Sequence, residues 1–301
     1  MIIKRLLDCN ASDFRRMGKK EILESIRASE GRVMVCEVIG AVQPLLDNVS
    51  NAELAAAFGA DLVLLNMLDL NTPIFYGLPL DNPEMLIAEL KALTGRIIGV
   101  NLEAVDEETT TLVPGRRATV ATVRKAREMG ADFIVLTGNP GTGVSNARIT
   151  EAVREFHEKF GAELIIAAGK MHAAGVSAES GEEIITESEV NELIAAGCDL
   201  LLLPAPGTVP GITMEYVRNL VRLAHTQGVL TMTAIGTSQE GADEATIREI
   251  ALLSKMTGTD LHHIGDAGYP GIAVPENIIA YSMAIRGRRH TYSRMARSVN
   301  R

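Results

Sequence analysis

Side chains suited to acid–base chemistry occur at or near the ends of short apolar runs in this sequence. Glu37 lies in the first of these runs, Lys170 and His172 follow the fifth, and His263 lies in the eighth. An imidazole titrates near pH 6.5, and burial can lower the pKa of an amine, so these groups can move protons at neutral pH. We therefore predict that Glu37, Lys170, His172 and His263 are catalytic residues.

Two details of this set stay open at the level of sequence. Lys170 lies in an apolar stretch, and its amine could form a Schiff base with a carbonyl substrate. We favour a second role for Lys170, in which it binds a phosphate or carboxylate. Adjacent strand residues face opposite sides, so only one of His262 and His263 can point towards the other candidates.

Carboxylates at the ends of several runs indicate a candidate metal site. Oxygen ligands of this kind suit Mg²⁺ or Mn²⁺ better than Zn²⁺. The alternative is that these carboxylates bind backbone amides or substrate hydroxyls directly. No organic cofactor is indicated. The predicted metal ligands are Glu37, Asp69, Glu103 and Asp266.

Glycines and small polar residues at the ends of the runs predict an anion-binding site. Glycine allows a ligand to approach the backbone closely, and backbone N–H groups bind phosphate. Two further glycine-rich loops, at residues 138–143 and 207–211, fit either an anion cradle or plain turns. The predicted substrate- or phosphate-binding residues are Gly169, Gly236, Thr237, Ser238, Gly265, Gly268, Asn66, Asn101 and Arg116.

The elements that must position these residues follow from the spacing of eight glycines. Each glycine ends a helical pattern and precedes an apolar run. The runs are short and continuous, as in strands buried on both faces of a parallel sheet. The predicted strands cover residues 33–39, 62–65, 97–102, 133–136, 164–168, 200–203, 229–235 and 261–264.

Every second run opens with Gly-x-Asp, which indicates a strand–helix–strand–helix unit used four times. Eight strand–helix units predict an α/β fold of the closed (β/α)8 barrel type, with a doubly wound open sheet as the alternative. In such a barrel, chemistry is done where the strands end. Asp61, Asp132, Asp199 and Asp260 fall at the strand beginnings, so we expect them to bind backbone groups.

The domain organisation predicted is one domain over residues 1–301. It consists of an N-terminal extension (1–30), the barrel (31–285) and a basic tail (286–301) with six arginines and no acid. We expect the extension to close the lower end of the barrel. We expect the tail to dock on an acidic face of this chain or of a neighbouring subunit, in a homo-oligomer. Nucleic-acid binding is not expected, because the rest of the chain is acidic.

Composition excludes several classes of protein. The chain has 301 residues, 47% of them hydrophobic and 22% charged, with a formal charge of −9. That hydrophobic content rules out intrinsic disorder, and no apolar stretch approaches the roughly 20 residues of a membrane-spanning helix. The three cysteines have neither metal-site nor disulfide-framework spacing. We expect a cytoplasmic protein with no membrane partner.

The eight-unit pattern resembles the phosphate-binding (β/α)8-barrel superfamily over residues 31–285. The acid-rich ends of the first three strands are similar to those of phosphoenolpyruvate phosphonomutase and isocitrate lyase-like barrels, although the Lys-x-Cys-Gly-His-type loop of those enzymes is missing. The resemblance implies Mg²⁺ and carboxylates that handle an enolate intermediate.

These observations together predict a metabolic enzyme that acts on a small anionic substrate, preferentially a phosphorylated one. Its chemistry would be of the lyase or isomerase type, with stabilisation of an oxyanion or enolate. Two alternatives stay open: a hydrolase on the same barrel, and a non-catalytic metabolite-binding barrel whose basic tail engages a partner.

Overall fold

The computed structural model describes residues 3–105, 111–138, 143–173 and 180–301. Eight parallel strands follow one another around a closed barrel, and β8 pairs with β1. The predicted (β/α)8 barrel is confirmed, and the doubly wound open sheet is wrong because no sheet edge is left open. The strands are β1 Val33–Ile39, β2 Leu62–Asn66, β3 Ile97–Glu103, β4 Phe133–Thr137, β5 Ile165–Gly169, β6 Leu200–Pro204, β7 Leu230–Ile235 and β8 Leu261–Ile264.

Helices cover the outside of the barrel. Before the first strand come α1 and α2, which belong to the N-terminal extension. The last helical segment, α10, is broken by non-helical backbone at Gly287. The helices are α1 Ala11–Phe14, α2 Lys19–Arg27, α3 Asn51–Ala57, α4 Leu86–Thr94, α5 Val120–Glu128, α6 Asn146–Phe160, α7 Glu187–Ala195, α8 Met214–Thr226, α9 Glu244–Thr257 and α10 Pro275–Met295.

Every strand boundary lies within one residue of its prediction, and the differences have a pattern. Five strands continue one residue beyond the apolar run, to Asn66, Glu103, Thr137, Gly169 and Pro204. Backbone pairing therefore extends past the core into polar positions. This extension places predicted site residues such as Asn66 and Glu103 on strands instead of loops.

The four Gly-x-Asp aspartates bind backbone groups, as expected. The Asp61 carboxylate accepts a hydrogen bond from the N–H of Met34, and the Asp61 N–H donates to the carbonyl of the same residue. Asp132, Asp199 and Asp260 repeat this double bond with Ile98, Ile166 and Thr231. Each aspartate thus joins the beginning of its own strand to the strand immediately before it, which is also its neighbour in the barrel.

The interior of the barrel continues into the N-terminal extension. Leu6, Phe14, Ile22 and Ile26 belong to the same apolar cluster as the inward-facing residues of the strands, such as Val35. The extension therefore packs against the end of the barrel where the strands begin. The predicted site residues at the strand ends, such as Asn66 and Glu103, lie at the opposite end of the barrel.

Half of the arginines near the C-terminus bind groups within the chain. Arg286 and Arg294 both bind the buried carboxylate of Asp61, the second at 2.6 Å. Arg297 donates to the carbonyl of Cys9 at 2.6 Å. Three of the six arginines of the predicted tail thus dock on the chain itself, and Arg286 lies within α10.

None of the helices in the described ranges is long and apolar enough to cross a membrane.

Candidate functional site

A cavity opens where the strands end. Side chains along each strand point alternately into and out of the barrel. In β1, Val33 and Val35 face the interior, so Glu37, two residues further on, faces it as well. The same step of two places Asn66 above Leu64 and Thr137 above Val135. The cavity is lined by Glu37, Asn66, Asn101, Thr137, Gly138, Met171, His172, Gly236, Glu240, Gly265 and Asp266.

Glu37 and His263 form a buried pair beside this cavity. Their side chains are 5% and 0% exposed, and His263 Nε2 lies 3.3 Å from Glu37 Oε2. The structure also answers the question about the two adjacent histidines. His262 faces outward, where its Nε2 lies 3.0 Å from the Gly31 carbonyl oxygen and its Nδ1 lies 3.2 Å from the Tyr281 hydroxyl.

Two asparagines connect the carboxylates of the site. Asn66 Nδ2 donates to Asp266 at 2.7 Å, and Asn66 Oδ1 accepts from Asn101 Nδ2 at 3.1 Å. The same Nδ2 of Asn101 lies 3.4 Å from Glu37 Oε1 and donates to it. A continuous chain of polar contacts therefore runs from Asp266 through both amides to Glu37.

Burial changes the acidity of two carboxyl groups in the site. Burial, and then the Glu37 carboxylate, raise the pKa of Asp266 above its ordinary value. Burial, and then the Asp266 carboxylate, raise the pKa of Glu240 in the same way. Glu240 is 4% exposed. Groups of this kind bind protons more readily than an exposed carboxylate, as general acids do.

Lys170 and His172 bring two basic groups to the end of β5. Lys170 is 2% exposed. Burial, and also the nearby charge of Lys170, lower the pKa of His172. The imidazole of His172 is therefore neutral at neutral pH, and it lines the cavity.

The four predicted metal ligands are not brought together. Glu37 and Asp266 line the cavity, but Asp69 accepts hydrogen bonds from its loop neighbours Asn71 and Thr72. Glu103 is paired with Arg116 at 2.5 Å. Within the described ranges, no three His, Cys, Asp or Glu side chains are arranged to hold a metal ion. The donor set expected from the sequence does not fit Mg²⁺ or Mn²⁺, and we derive no step through a metal.

The predicted anion-binding residues are dispersed in the same way. A Cβ at Gly169 would lie 2.0 Å from the Leu202 carbonyl oxygen, and one at Gly236 would lie 2.0 Å from Met171 Sδ. One at Gly265 would lie 2.7 Å from the Ile235 carbonyl oxygen. Close packing within the protein therefore explains all three glycines, although Gly236 and Gly265 also line the cavity.

The remaining residues of the anion set make contacts of their own. The Thr237 hydroxyl donates to the Thr208 carbonyl at 2.9 Å, and Ser238 is exposed. The Gly268 N–H donates to Asp266, which leaves it turned towards a carboxylate. Part of the glycine-rich loop 138–143, residues 139–142, lies outside the described residues.

Sequence reasoning missed two polar residues of the cavity, Thr137 and Glu240. Thr137 extends β4 by one residue beyond its apolar run. Glu240 lies in the short 3₁₀ turn Gln239–Gly241, which follows the left-handed residue Ser238. The sequence places Glu240 only in the loop after β7. The local sequence pattern does not show that this loop folds back over the barrel, so the position of Glu240 at the cavity could not be predicted.

The solved structures that match this chain share little sequence with it. Thiamine phosphate pyrophosphorylase from Pyrococcus furiosus is 14% identical, with a TM-score of 0.48 over 85% of this chain and 96% of that one. The Amycolatopsis orientalis BexX/CysO complex is 18% identical, with a TM-score of 0.48 over 83% and 87%. A designed, cube-shaped, highly porous protein cage is 15% identical, with a TM-score of 0.48 over 86% and 73%.

Among curated proteins, no sequence matches this chain significantly. The profile of one protein family, in contrast, matches residues 7–301, which is nearly the whole chain. The matched region includes the N-terminal extension, the barrel and every residue of the candidate site. The chain therefore belongs to the family described as a domain of unknown function, DUF7916.

Proposed function

We propose that this chain is an enzyme that moves protons on a small polar metabolite at the end of the barrel where the strands finish. Its reaction would be of the lyase or isomerase type. The observation that carries the proposal is the burial of acid and base groups around one cavity. Glu37, Glu240 and His263 are each at most 4% exposed, and buried groups of this kind concentrate at functional sites.

The Glu37–His263 pair is the proposed proton-transfer centre. Neither ring nitrogen of His263 has a hydrogen-bond partner with good geometry among the described residues. A buried imidazole normally has such partners, and we propose that the substrate supplies one. Glu37 stabilises the imidazolium that forms when His263 takes a proton, as a carboxylate beside a catalytic histidine does.

Asp266 and Glu240, which also line the cavity, are the proposed proton donors. Their raised pKa values favour the protonated form more than in an exposed carboxyl. A carboxyl group that holds its proton can donate it to an oxygen of the substrate as negative charge develops there. This arrangement supports enolate or oxyanion chemistry without assigning a metal to it.

Lys170 and His172 support an anionic group on the substrate, such as a phosphate or carboxylate. Lys170 is a buried cation at the end of β5, and His172 adds a neutral imidazole beside it. An ammonium group interacts strongly with an anion where water is excluded. The preference for a phosphorylated substrate is part of this proposal.

The alternatives from the sequence have less support. A partner-binding tail is disfavoured because Arg286, Arg294 and Arg297 bind residues of the same chain. The hydrolase on the same barrel stays an alternative prediction. The cytoplasmic location and the homo-oligomer expected from the sequence stay predictions.

Incubation with a pooled metabolite extract tests the proposed function. The protein is incubated with the extract, and substrates are identified by mass spectrometry. We expect at least one small metabolite to be converted by the wild type and not by Glu37→Gln or His263→Gln. The matched control is Arg124→Gln, which changes an exposed residue on α5 and is expected to retain full activity. Conversion by all variants alike, or no conversion by the wild type, would contradict the proposal.

A further inference from the structure

The direction of the polar chain in the site is set by its two carboxylate ends. Asn66 must turn its NH₂ towards Asp266, because a carboxylate accepts hydrogen bonds and does not donate them. Asn101 must turn its NH₂ towards Glu37 and towards Asn66 Oδ1 for the same reason. The NH₂ groups of both asparagines are thus directed at other residues of the protein, and the free side of Asn101 is its carbonyl oxygen.

Several polar atoms that line the cavity have no partner. Asn101 Oδ1, Thr137 Oγ1 and Glu240 Oε2 are buried and make no hydrogen bond within the described part of the chain. The three side chains are 5%, 1% and 4% exposed. Two of these atoms, Asn101 Oδ1 and Glu240 Oε2, are acceptors. Buried polar atoms normally have a hydrogen-bond partner, so such a group is expected where a ligand or water completes it.

The charges around the cavity are strongly unequal. Three carboxylates line it, those of Glu37, Glu240 and Asp266, and no lysine or arginine is among the described lining residues. Of these three, Glu37 lies next to the imidazole of His263. When ionised, Glu240 and Asp266 add two further negative charges. Burial, and then the nearby carboxylates, raise the pKa of both: Asp266 acts on Glu240, and Glu37 acts on Asp266.

We propose that this cavity binds the ammonium group of an amine-bearing ligand. An ammonium has three donors and no acceptor, so it matches the free oxygens of Asn101 and Glu240, and its charge offsets the excess of carboxylates. A hydroxyl group offers a single donor and no charge. The inference rests on the proposed function only in placing the ligand in the same cavity, and it names the class of substrate: a small amine whose anionic group, when it has one, lies towards Lys170.

A pair of probes of the same size tests this directly. The full-length protein, carrying ¹³C-labelled Asp and Glu carboxyl groups, is titrated at pH 7 with ethanolamine and with ethylene glycol. The two probes differ by one amine in place of one hydroxyl. We expect ethanolamine to shift the Glu240 and Asp266 resonances saturably, with a Kd at least about tenfold below that of ethylene glycol.

Two variants locate the effect. Glu240→Gln keeps the shape of the side chain and removes its charge, and it is expected to weaken ethanolamine binding about tenfold and ethylene glycol binding less than threefold. The exposed Glu182→Gln is the matched control and is expected to change neither affinity. Equal binding of the two probes, binding of Mg²⁺ alone in their place, or the absence of any saturable shift would overturn the inference.

The outcome is independent of catalysis, so the two proposals can fail separately. Saturable binding of ethanolamine without turnover of any metabolite would support the amine site and contradict the proposed enzyme. Conversion of a metabolite that carries no amine, without ethanolamine binding, would support the enzyme and overturn the amine site.

Discussion

Nε2 of His263 lies 3.3 Å from Oε2 of Glu37, although the two residues are near opposite ends of the chain. Closure of the barrel explains this contact. β8 pairs with β1 in the register Val35 with His263, and Glu37 is two residues beyond Val35 on the same inward face. The pair therefore exists only because the first and last strands are neighbours, and it lies in the layer directly above the apolar interior.

Removal of either member of this pair is expected to abolish most of the activity. For Glu37→Gln and His263→Gln, we expect kcat/KM to fall by about 10²–10⁴, the usual contribution of a positioned acid or base. The double variant should be little worse than either single variant, because the two groups act as a unit. Steady-state kinetics on the metabolite found by extract screening measure this. Losses that multiply in the double variant would contradict a shared role.

Glu240→Gln is expected to stabilise the protein at neutral pH. Burial raises the pKa of Glu240, so the folded state holds a proton there at pH values where the unfolded state has released it. Ionisation of Glu240 therefore opposes folding once the pH rises above 4.5, the ordinary pKa of a glutamate side chain. We expect the Tm of the variant to exceed that of the wild type by about 2 °C at pH 7, equivalent to about 1 kcal/mol.

The difference in Tm between the wild type and Glu240→Gln should disappear at acidic pH. Below pH 4.5 the carboxyl is protonated in both states, so wild type and Glu240→Gln should melt alike. Thermal unfolding at a series of pH values measures this. A variant less stable than the wild type at pH 7 would show that Glu240 has a favourable partner.

His262 is expected to remain neutral far into the acid range. Burial lowers its pKa to about 4, because the charged ring would lose its hydration in the contact with Gly31 and Tyr281. The unfolded state binds a proton near pH 6.5, so stability should fall as the pH decreases from 6.5 to 4, by on the order of 3 kcal/mol.

NMR titration of the histidine rings checks this prediction, and His225 is an internal control of opposite sign. Its hydrogen bond with Asp260 raises its pKa, so His225 should titrate above 6.5 in the same experiment. A titration midpoint for His262 close to pH 6.5 would contradict the prediction that its buried ring stays neutral.

The C-terminal arginines are expected to contribute to stability. Arg294 is 1% exposed, binds Asp61 at 2.6 Å and donates to the Leu6 carbonyl at 2.6 Å. Arg294→Met leaves a buried carboxylate with one partner fewer, which costs about 3–5 kcal/mol. Arg289→Met removes an exposed arginine of the same segment and should change stability by less than about 0.5 kcal/mol. Urea unfolding of both variants measures the difference, and equal stability would show that the segment does not hold the barrel.

The fold was predictable from the sequence because its signals are local. Each strand is an apolar run that begins after a glycine, and the repeated Gly-x-Asp identifies alternate strands. The aspartates also have one shared role, seen at Asp61 and Asp132, in binding the backbone of a neighbouring strand. No long-range information is needed to recognise either pattern.

The site was predictable only in part, because it depends on contacts between distant residues. Glu37, Asn66, Asn101 and Asp266 were found, since strand ends meet on one face of a barrel. Asp69 is held within its own loop, where short-range hydrogen bonds to Asn71 and Thr72 occupy its oxygens. Residues such as Glu240 were missed, since the course of a loop over the barrel leaves no periodic signal.

The direct test of proton transfer in this cavity is the uptake of solvent deuterium. The metabolite converted by the wild type is incubated with the protein in D₂O, and the product and the recovered substrate are analysed by mass spectrometry. The proposal predicts incorporation of deuterium at a carbon of the wild-type product, and loss of that incorporation in His263→Gln. Conversion without any deuterium at carbon, or equal incorporation with His263→Gln, would contradict it.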